Sequence, residues 1–458
     1  MKLLLATRRA VLLGAAALLT ACAVTPPAAD RPTIVFVHGN GDSAAQWTTT
    51  LWRFESNRWP RDRLRAVDLP YPQARDADDT PQPGRSSSDE QRTRLAAAVD
   101  EALRATGAKQ VVLIGNSRGG NAIRSYVAGG GAAKVSHVIL GGTPNHGVWS
   151  SPTLRPTNEF NGAGPFLTAL NSQDGPGIEI TPGPQWMTIR SDANDKFAQP
   201  DGVWIGAKGT PTNVDAAGPE LKGASNVVIP GIDHRETSYG PAAFDAAYRF
   251  IVGHAPARTS FVAEPRVVLD GVVSGLGVDN DPAPGGVVNN LPLVGASAEV
   301  YAVNPASGER LGEAKLRKAI GADGRWGPFE ADPSATYEFV VGAPGYGTTH
   351  VYRSPFPRSS SVVNLRAQRA PVPEKGVASV VSLVRPRGYF GVPRDRITLD
   401  GVSPPAGIPN GVAGAAEARL AARVAPMRPV AGEFNGERIV GRAWPVAQGH
   451  VVQLELHQ

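Results

Sequence analysis

The stretch Gly115-Asn-Ser-Arg-Gly-Gly120 decides the fold, because it stands where a strand is expected to turn sharply into a helix. Residues 109–114 are mostly apolar and β-branched, which is typical of a buried parallel strand. Residues 121–128 space their apolar side chains along one helix face. A serine at such a turn needs uncommon backbone angles, and the glycines two positions before and after it leave the necessary room. The pattern predicts an exposed, nucleophilic hydroxyl on Ser117.

A glycine-rich turn between a strand and a helix also occurs at phosphate sites. A Walker loop requires Gly-Lys-Ser/Thr, and a dinucleotide site requires G-x-G-x-x-G with an acidic residue about 20 positions further on. Residues 115–120 and their surroundings contain neither pattern. The stretch therefore favours a serine nucleophile over a phosphate-binding loop.

A serine nucleophile needs a histidine to take its proton. The candidates are His38, His146 and His234, because the other five histidines lie in a predicted strand, at a helix end or in the differently composed C-terminal part. Hydrolases with this turn carry their triad in the order Ser, Asp or Glu, His. His234 fits that order, since it follows a late predicted strand and precedes a predicted helix at 242–252. His146 comes too early and is expected to shape the pocket or its lid.

The triad acid is expected in the loop 191–200, which follows the predicted strand 185–190. Asp195 and Asp192 both qualify. Asp195 is favoured, because the partly apolar stretch behind it leads the chain back over the sheet edge. Asp192 is then expected to cap the loop through an Asx-type hydrogen bond. The sequence alone leaves both aspartates open.

The oxyanion of a tetrahedral intermediate needs backbone N–H donors. The residue after the nucleophile, Arg118, supplies one. The second donor is expected after the early strand 32–37, where a His-Gly pair lets the backbone pass close to the substrate and leaves Asn40 as the donor. His38 is then a positioning residue. No other cluster has metal-ligand spacing, so the sequence predicts no metal and no other cofactor.

Residues 32–254 resemble the bacterial and archaeal lipases and esterases of the α/β-hydrolase superfamily. The matching motifs are Phe36-Val-His-Gly-Asn-Gly41, Gly115-Asn-Ser-Arg-Gly-Gly120, Gly142-Thr-Pro-Asn-His-Gly147 and the loops that carry Asp192, Asp195 and His234. The whole chain is similar to an archaeal lipase family whose C-terminal β-barrel part helps enclose a long acyl chain. The resemblance implies a carboxylester hydrolase with Ser117, Asp195 and His234 as its triad. Asn116 and Arg118 depart from the His and the Gln or Met more usual in true lipases.

The N-terminus carries an export signal. A basic segment, 1–9, precedes an apolar segment, 10–19, which is long enough for a signal-peptide core but too short to span a bilayer. The sequence Leu19-Thr-Ala-Cys22 has the small-residue pattern that is cut before a lipid-carrying cysteine, and Cys22 is the only cysteine of the chain. We expect export by the Sec or twin-arginine route and a lipid anchor in the bacterial envelope. Because Ala23 follows instead of an acidic residue, the outer membrane is expected in a two-membrane bacterium.

Composition fits an exported globular protein and excludes a nucleic-acid binder. The net charge of +5 is small for 458 residues, and no lysine or arginine run is suited to nucleic acid. The 52 glycines and 41 prolines indicate many turns. Attraction to anionic lipid headgroups is a minor effect at most.

The chain divides into five predicted regions. Alternating strands and helices, including a helix at 88–106, predict an α/β fold with a doubly wound, mostly parallel sheet, and two β-rich sandwich or barrel domains follow it. The regions are a lipoprotein-type signal peptide (1–22), a tether (23–31), an α/β-hydrolase domain (32–257), a β-sandwich (258–368) and a second β-rich domain (369–458).

Two parts of the chain have no motif of their own. Residues 148–184 interrupt the strand–helix alternation between the nucleophile and the acid, which favours a lid or an acyl-pocket wall over a structural excursion. For the two β-rich domains, a structural role and a role in lengthening the acyl tunnel stay equally open.

Three functional hypotheses follow. The leading one is a serine esterase or lipase acting on a small-molecule ester or lipid, held at a membrane by its lipid anchor. The second is the same triad acting on polyester or hydroxyalkanoate oligomers. The third is a non-catalytic surface protein on a hydrolase fold, against which the ordered triad argues.

Overall fold

The computed structural model describes residues 31–172, 177–276, 288–372, 374–423 and 427–458. The signal peptide, Cys22 and the tether before residue 31 lie outside the described residues, so the predictions made for them stay predictions. In the described ranges, no helix is both long and apolar enough to cross a membrane.

Within the described residues, the first half of the chain forms a six-stranded, wholly parallel sheet in the order β2-β1-β3-β4-β5-β6. Its elements are β1 (Thr33–Val37), α1 (Thr48–Ser56), β2 (Leu64–Val67), α2 (Ser88–Thr106), β3 (Val111–Asn116), α3 (Arg118–Tyr126), β4 (Val135–Gly141), α4 (Pro165–Leu170), β5 (Gln185–Ser191), β6 (Ser225–Ile229), α5 (Glu236–Tyr239) and α6 (Pro241–Val252).

Helices cover both faces of this sheet, because successive residues of its strands point to opposite sides. Along β1, Val35 and Val37 pack towards α2 and α3, whereas Ile34 and Phe36 pack towards α1 and α6. The carboxyl ends of the strands therefore meet at one edge between two helical layers, where ligands bind in open parallel sheets. The predicted α/β-hydrolase fold is confirmed.

The second half of the chain is made of β-strands. They are β7 (Val267–Leu269), β8 (Val273–Gly275), β9 (Ser297–Val303), β10 (Leu316–Ala319), β11 (Phe329–Ala331), β12 (Thr336–Gly342), β13 (Thr348–Arg353), β14 (Leu365–Ala367), β15 (Ser379–Val384), β16 (Ile397–Leu399), β17 (Glu417–Ala422), β18 (Pro429–Phe434), β19 (Glu437–Arg442) and β20 (His450–Glu455). The largest sheet of this half, counted over the described strands, has seven of them in the order β10-β9-β12-β13-β20-β15-β17.

This large sheet joins the two regions that the sequence divides at residue 368. The late strand β20 lies between β13 and β15 and runs parallel to both. The remaining pairs of the sheet are antiparallel, so the sheet is mixed. The parallel pairs arise because long connections bring strands that are distant in the sequence side by side. A hairpin would instead pair strands that are neighbours in the sequence. The β-rich character was predicted, but the pairing was not.

Candidate active site

Ser117 stands at the turn between β3 and α3 with backbone angles φ 50° and ψ −120°. An L-residue rarely adopts this conformation, and such strain clusters at functional sites. The flanking glycines are required sterically. A Cβ on Gly119 would lie 2.5 Å from the carbonyl oxygens of Val37 and His38, and one on Gly115 would lie 2.7 Å from the backbone nitrogen of Gly120.

His234 and Asp195 are brought together at the same edge of the sheet. The imidazole Nδ1 of His234 lies 2.8 Å and 3.0 Å from the two carboxylate oxygens of Asp195. Both side chains are buried, and the ring of Phe197 packs edge-on against the imidazole at 4.6 Å between centroids. The Asp195 carboxylate thus fixes Nδ1 as the protonated nitrogen and leaves Nε2 as the free base.

Asp192 does not reach His234. One of its carboxylate oxygens accepts from the backbone N–H of Asn194 at 3.2 Å, and the other accepts from the N–H of Gly231 at 3.1 Å. The first contact is the Asx-type bond expected from the sequence, and the second ties the acid loop to the loop before His234.

Ser117 and His234 line one cavity of about 270 Å³. The loop after β1 also reaches it, since a Cβ on Gly39 would lie 3.3 Å from the Cβ of Ser117. Asn40 lines the cavity, and its side-chain oxygen accepts from the N–H of Ala74 at 2.8 Å. Arg118 is the first residue of α3, where N–H groups have no partner inside the helix. Of the two predicted oxyanion donors, Arg118 therefore follows Ser117 in the chain, and Asn40 lines the same cavity as Ser117.

His38 is buried beneath this loop. Its Nε2 accepts from the N–H of Leu69 at 3.0 Å, and its Nδ1 lies 3.0 Å from the carbonyl oxygen of Gly39. Burial lowers the pKa of His38, although Asp68 opposes the shift. A neutral imidazole that donates from Nδ1 satisfies both contacts, so His38 holds the loop in place.

The side chain of Arg118 has a partner that the sequence does not reveal. Its guanidinium pairs with both carboxylate oxygens of Glu159, each at 2.7 Å, and both side chains are almost fully buried. Burial raises the pKa of Glu159, while the arginine opposes that shift. Since Glu159 belongs to the predicted insertion 148–184, this pair fixes the insertion to the nucleophile helix.

Other parts of the insertion form the cavity wall. Val148, Trp149 and Phe160 line the cavity. His146, just before the insertion, bonds Glu179 at 3.0 Å and lines a second cavity of about 90 Å³ that also reaches Asp195 and His234. Burial lowers the pKa of His146. His146 thus contributes to a pocket wall, as expected, in a cavity that His234 and Asp195 also line.

The C-terminal strands hold both loops of the Asp195–His234 pair. Arg385, at the end of β15, binds Asp233 at 2.8 Å and also contacts Glu236. Arg394 binds Glu236 at 2.8 Å. Asp233 and Glu236 flank His234 in the sequence, so the loop that carries His234 is held on both sides of it.

The acid loop is held by the same region. Asn194 accepts from the N–H of Ala413 at 3.1 Å, and Lys196 donates to the carbonyl of Gly414 at 3.0 Å. The amine of Lys196 also lies 3.6 Å from the centroid of the Tyr389 ring, and burial lowers the pKa of Lys196 to about 8. Tyr389 itself lines the cavity of Ser117.

Sequence reasoning missed several cavity residues. Asp42 binds Arg235 at 2.6 Å, and the guanidinium of Arg235 lies 4.8 Å from the centre of the Tyr389 ring. Arg235 directly follows His234 in the sequence, and this position is the signal that could have indicated it. No local signal indicates Tyr389. Among the described residues, no group of three or more histidine, cysteine or acidic side chains could hold a metal ion.

Comparison with known proteins gives one family match and many distant structural ones. Residues 266–370 match the family model described as the Lipase C-terminal domain. The comparison with curated proteins found no match.

Among solved structures, the mature form of lipase BlEst2 from Bacillus licheniformis is 20% identical with a TM-score of 0.35, over 49% of this chain and 94% of its own. The monoacylglycerol lipase of Paleococcus ferrophilus is 13% identical with a TM-score of 0.33, over 49% of this chain and 96% of its own. The carboxylesterase CesB of Bacillus subtilis is 12% identical with a TM-score of 0.28, over 50% of this chain and 86% of its own. The family match shows a segment similar to a lipase C-terminal domain behind the parallel-sheet half of the chain.

Proposed function

We propose that this protein is a serine carboxylester hydrolase of the esterase or lipase type. The observation that carries the proposal is the bond between Asp195 and His234, whose side chain lines the same cavity as Ser117. An imidazole held by a carboxylate, beside a serine on a strained turn, is the arrangement that activates a hydroxyl for acyl transfer. The fold alone would not support this activity.

In the proposed mechanism, the Oγ of Ser117 attacks the ester carbonyl carbon while Nε2 of His234 takes the hydroxyl proton. The backbone N–H groups of Asn40 and Arg118 stabilise the oxyanion. The tetrahedral intermediate collapses, and His234 delivers its proton to the departing alcohol. Water, deprotonated by His234, then attacks the acyl-enzyme and releases the acid and Ser117. Throughout, Asp195 orients the imidazole and stabilises its protonated form.

The nucleophile is tested with a fluorophosphonate probe and with Ser117→Ala. The probe should label Ser117 alone, and the variant should lose several powers of ten of turnover on p-nitrophenyl esters of increasing chain length. Thermal unfolding of the variant checks that its fold is kept. Equal turnover in the folded variant would refute the proposed triad.

We also propose that the protein is exported and lipid-anchored through Cys22. This proposal rests on the sequence alone, on a unique cysteine placed directly after a short apolar segment. Two or more acyl chains anchor stably, since each buried methylene contributes about 0.8 kcal/mol.

Intact-mass analysis of the native protein should therefore find Cys22 as an acylated N-terminus, and the membrane fraction should lose the protein in Cys22→Ser. A mature form that begins elsewhere and carries no lipid would contradict the anchor.

A further inference from the structure

One wall of the cavity that contains Ser117 is rich in arginine. Arg75, Arg85 and Arg155 all line it. The charge of Arg75 is compensated, because its guanidinium binds Glu90 at 2.9 Å. Arg85 and Arg155, in contrast, form no salt bridge with any residue that the structure describes.

Arg85 has an unused hydrogen-bonding capacity. One terminal nitrogen donates to the carbonyl oxygen of Ala74 at 2.9 Å. Its Nε is buried and has no hydrogen-bond partner among the described residues. A guanidinium carries five donors and no acceptor, and Arg85 lines the cavity while one terminal nitrogen bonds Ala74, so its other terminal donors favour a ligand that accepts hydrogen bonds.

Arg155 is held over the cavity at a conformational cost. Its φ of 46° lies in the left-handed region, which an arginine rarely adopts. The carbonyl of Arg155 accepts from the backbone N–H of Asn158 at 3.1 Å, which fixes this conformation. The guanidinium carbon lies 5.8 Å from the ring centre of Trp149, which also lines the cavity. Backbone strain next to a reaction centre is typical of functional sites, so it supports a ligand role for Arg155.

The acidic side chains of the cavity do not cancel these two cations. Asp42 is already paired with Arg235 at 2.6 Å. Asp76 is the remaining carboxylate of the lining. Its bond from the neutral amide of Gln82, at 3.0 Å, leaves its charge in place, so Asp76 offsets one of the two arginines and the other stays uncompensated. The cavity therefore keeps a positive excess.

Five aromatic side chains also line the cavity. They are Trp149, Phe160, Phe197, Trp204 and Tyr389. Phe197 packs on the imidazole of His234. Ala74, which bonds Asn40, is followed by Arg75 and accepts a hydrogen bond from Arg85. Cationic and aromatic side chains thus line the same cavity as Ser117, with Arg155 beside Trp149.

From the two arginines without an ion pair and the aromatic side chains of this cavity, we infer that the preferred substrate is a small ester that carries a carboxylate, bound by Arg85 and Arg155. The inference rests on the proposed function and names its substrate class. A guanidinium fork matches the geometry of a carboxylate, and the aromatic wall takes the uncharged part. The cavity volume of about 270 Å³ sets the size of the ligand and favours a short ester. The carboxylate can belong to the acyl or to the alcohol part of the ester.

The test compares charged and neutral esters of the same shape. One arm uses the monoethyl esters of succinic, glutaric and adipic acid, each against the same ester with a carboxamide in place of the carboxylate. The second arm uses the butyryl ester of 3-hydroxybutyrate against that of its amide. We expect kcat/KM to favour the carboxylate by about tenfold or more in at least one arm, since hydrogen bonds to charged groups are the stronger ones. The arm that shows the preference identifies the side of the ester that carries the charge.

The same ratio is measured in Arg155→Gln, Arg85→Gln and a control. Each of the two cavity variants should bring the ratio towards one, whatever its absolute rate. Arg94→Gln removes the same charge from the exposed side of α2, away from this cavity, and should keep the wild-type ratio. A preference that survives both cavity variants, or that falls equally in Arg94→Gln, would overturn the assignment.

Two negative outcomes have different meanings. If the protein hydrolyses carboxylates and carboxamides equally in both arms, with turnover that depends on Ser117, the substrate inference fails and the proposed function stands. If no ester of either arm or of the p-nitrophenyl series is hydrolysed, the proposed function fails and this inference with it.

Discussion

Arg118 contributes to two parts of the molecule through different atoms. Its backbone N–H begins the helix behind Ser117, and its guanidinium ties Glu159 of the insertion to that helix. A buried pair of this kind costs several kcal/mol when one partner is lost, about 3–5 kcal/mol in other proteins. The glutamine or methionine more usual at this position could not form a charged, two-bond pair with Glu159. The residue thus couples the position of the cavity wall to the position of the proposed nucleophile.

At the same scale, the two aspartates of the acid loop are separable by substitution. Asp195→Asn should lower kcat by about 10⁴-fold, because an amide donor at His234 favours the wrong tautomer. Asp192→Asn should cost about tenfold or less, since its side-chain oxygen still accepts from Asn194. Steady-state kinetics on one p-nitrophenyl ester measure both. The reverse order of the two losses would transfer the role to Asp192.

At the scale of secondary-structure elements, the end of β15 acts on the loop of His234. Arg385 and its partner Asp233 are both buried. Asp233 directly precedes His234, so the ion pair acts on the loop 233–236 that carries the imidazole. Displacement of a catalytic group by about 1 Å can cost about 10²-fold in rate. The geometry of this contact is therefore expected to influence turnover from outside the hydrolase domain.

Arg385→Lys keeps the charge but removes the fork that contacts Asp233 and Glu236 together. We expect kcat to fall about 10- to 100-fold with little change in KM, because the base is misplaced and the cavity is not.

The control for this prediction is Arg438→Lys, whose exposed pair with Glu433 lies on neighbouring strands of the same region. It should leave kcat unchanged. An Arg385→Lys protein with wild-type kcat would show that the contact does not position His234.

The elements of the hydrolase half could be predicted well from the sequence, and those of the second half only in part. The helix predicted at 88–106 is α2, and the strand predicted at 185–190 is within β5. These elements carry local signals of period and capping. The pairing of β13 with β20 has no local signal, because it depends on residues about a hundred positions apart. For the same reason, Tyr389 could not be assigned to the cavity.

At the scale of the whole molecule, buried histidines make stability depend on pH. In the described residues, burial lowers the pKa of six of them, His38, His137, His146, His350, His450 and His457. The pair His350 and His450 bridges β13 and β20, with 2.8 Å between ring nitrogens, and His350 also bonds Glu338 at 2.7 Å. A histidine whose folded pKa is lowered binds protons more weakly than in the unfolded chain.

Stability should therefore fall as the pH drops below about 6.5, the ordinary pKa of histidine, because the unfolded state then binds protons that the folded state excludes. Urea unfolding at pH 7.5, 6.5 and 5.5 measures the effect through the midpoint. A midpoint that is constant or rises over this interval would contradict the prediction. The same series in His450→Gln should show a weaker dependence on pH.

The central place of β20 has a kinetic consequence. Its ion pair with β13 joins residues 102 positions apart, so the two strands meet only after a long loop has closed. Local contacts form early in folding, whereas such distant pairings form slowly and leave strand edges open to other chains in the meantime. During translation the parallel sheet can assemble while the mixed sheet still waits for a strand near the end of the sequence. A chain that is interrupted before residue 450 would carry two open edges, on β13 and β15, and would be prone to aggregate.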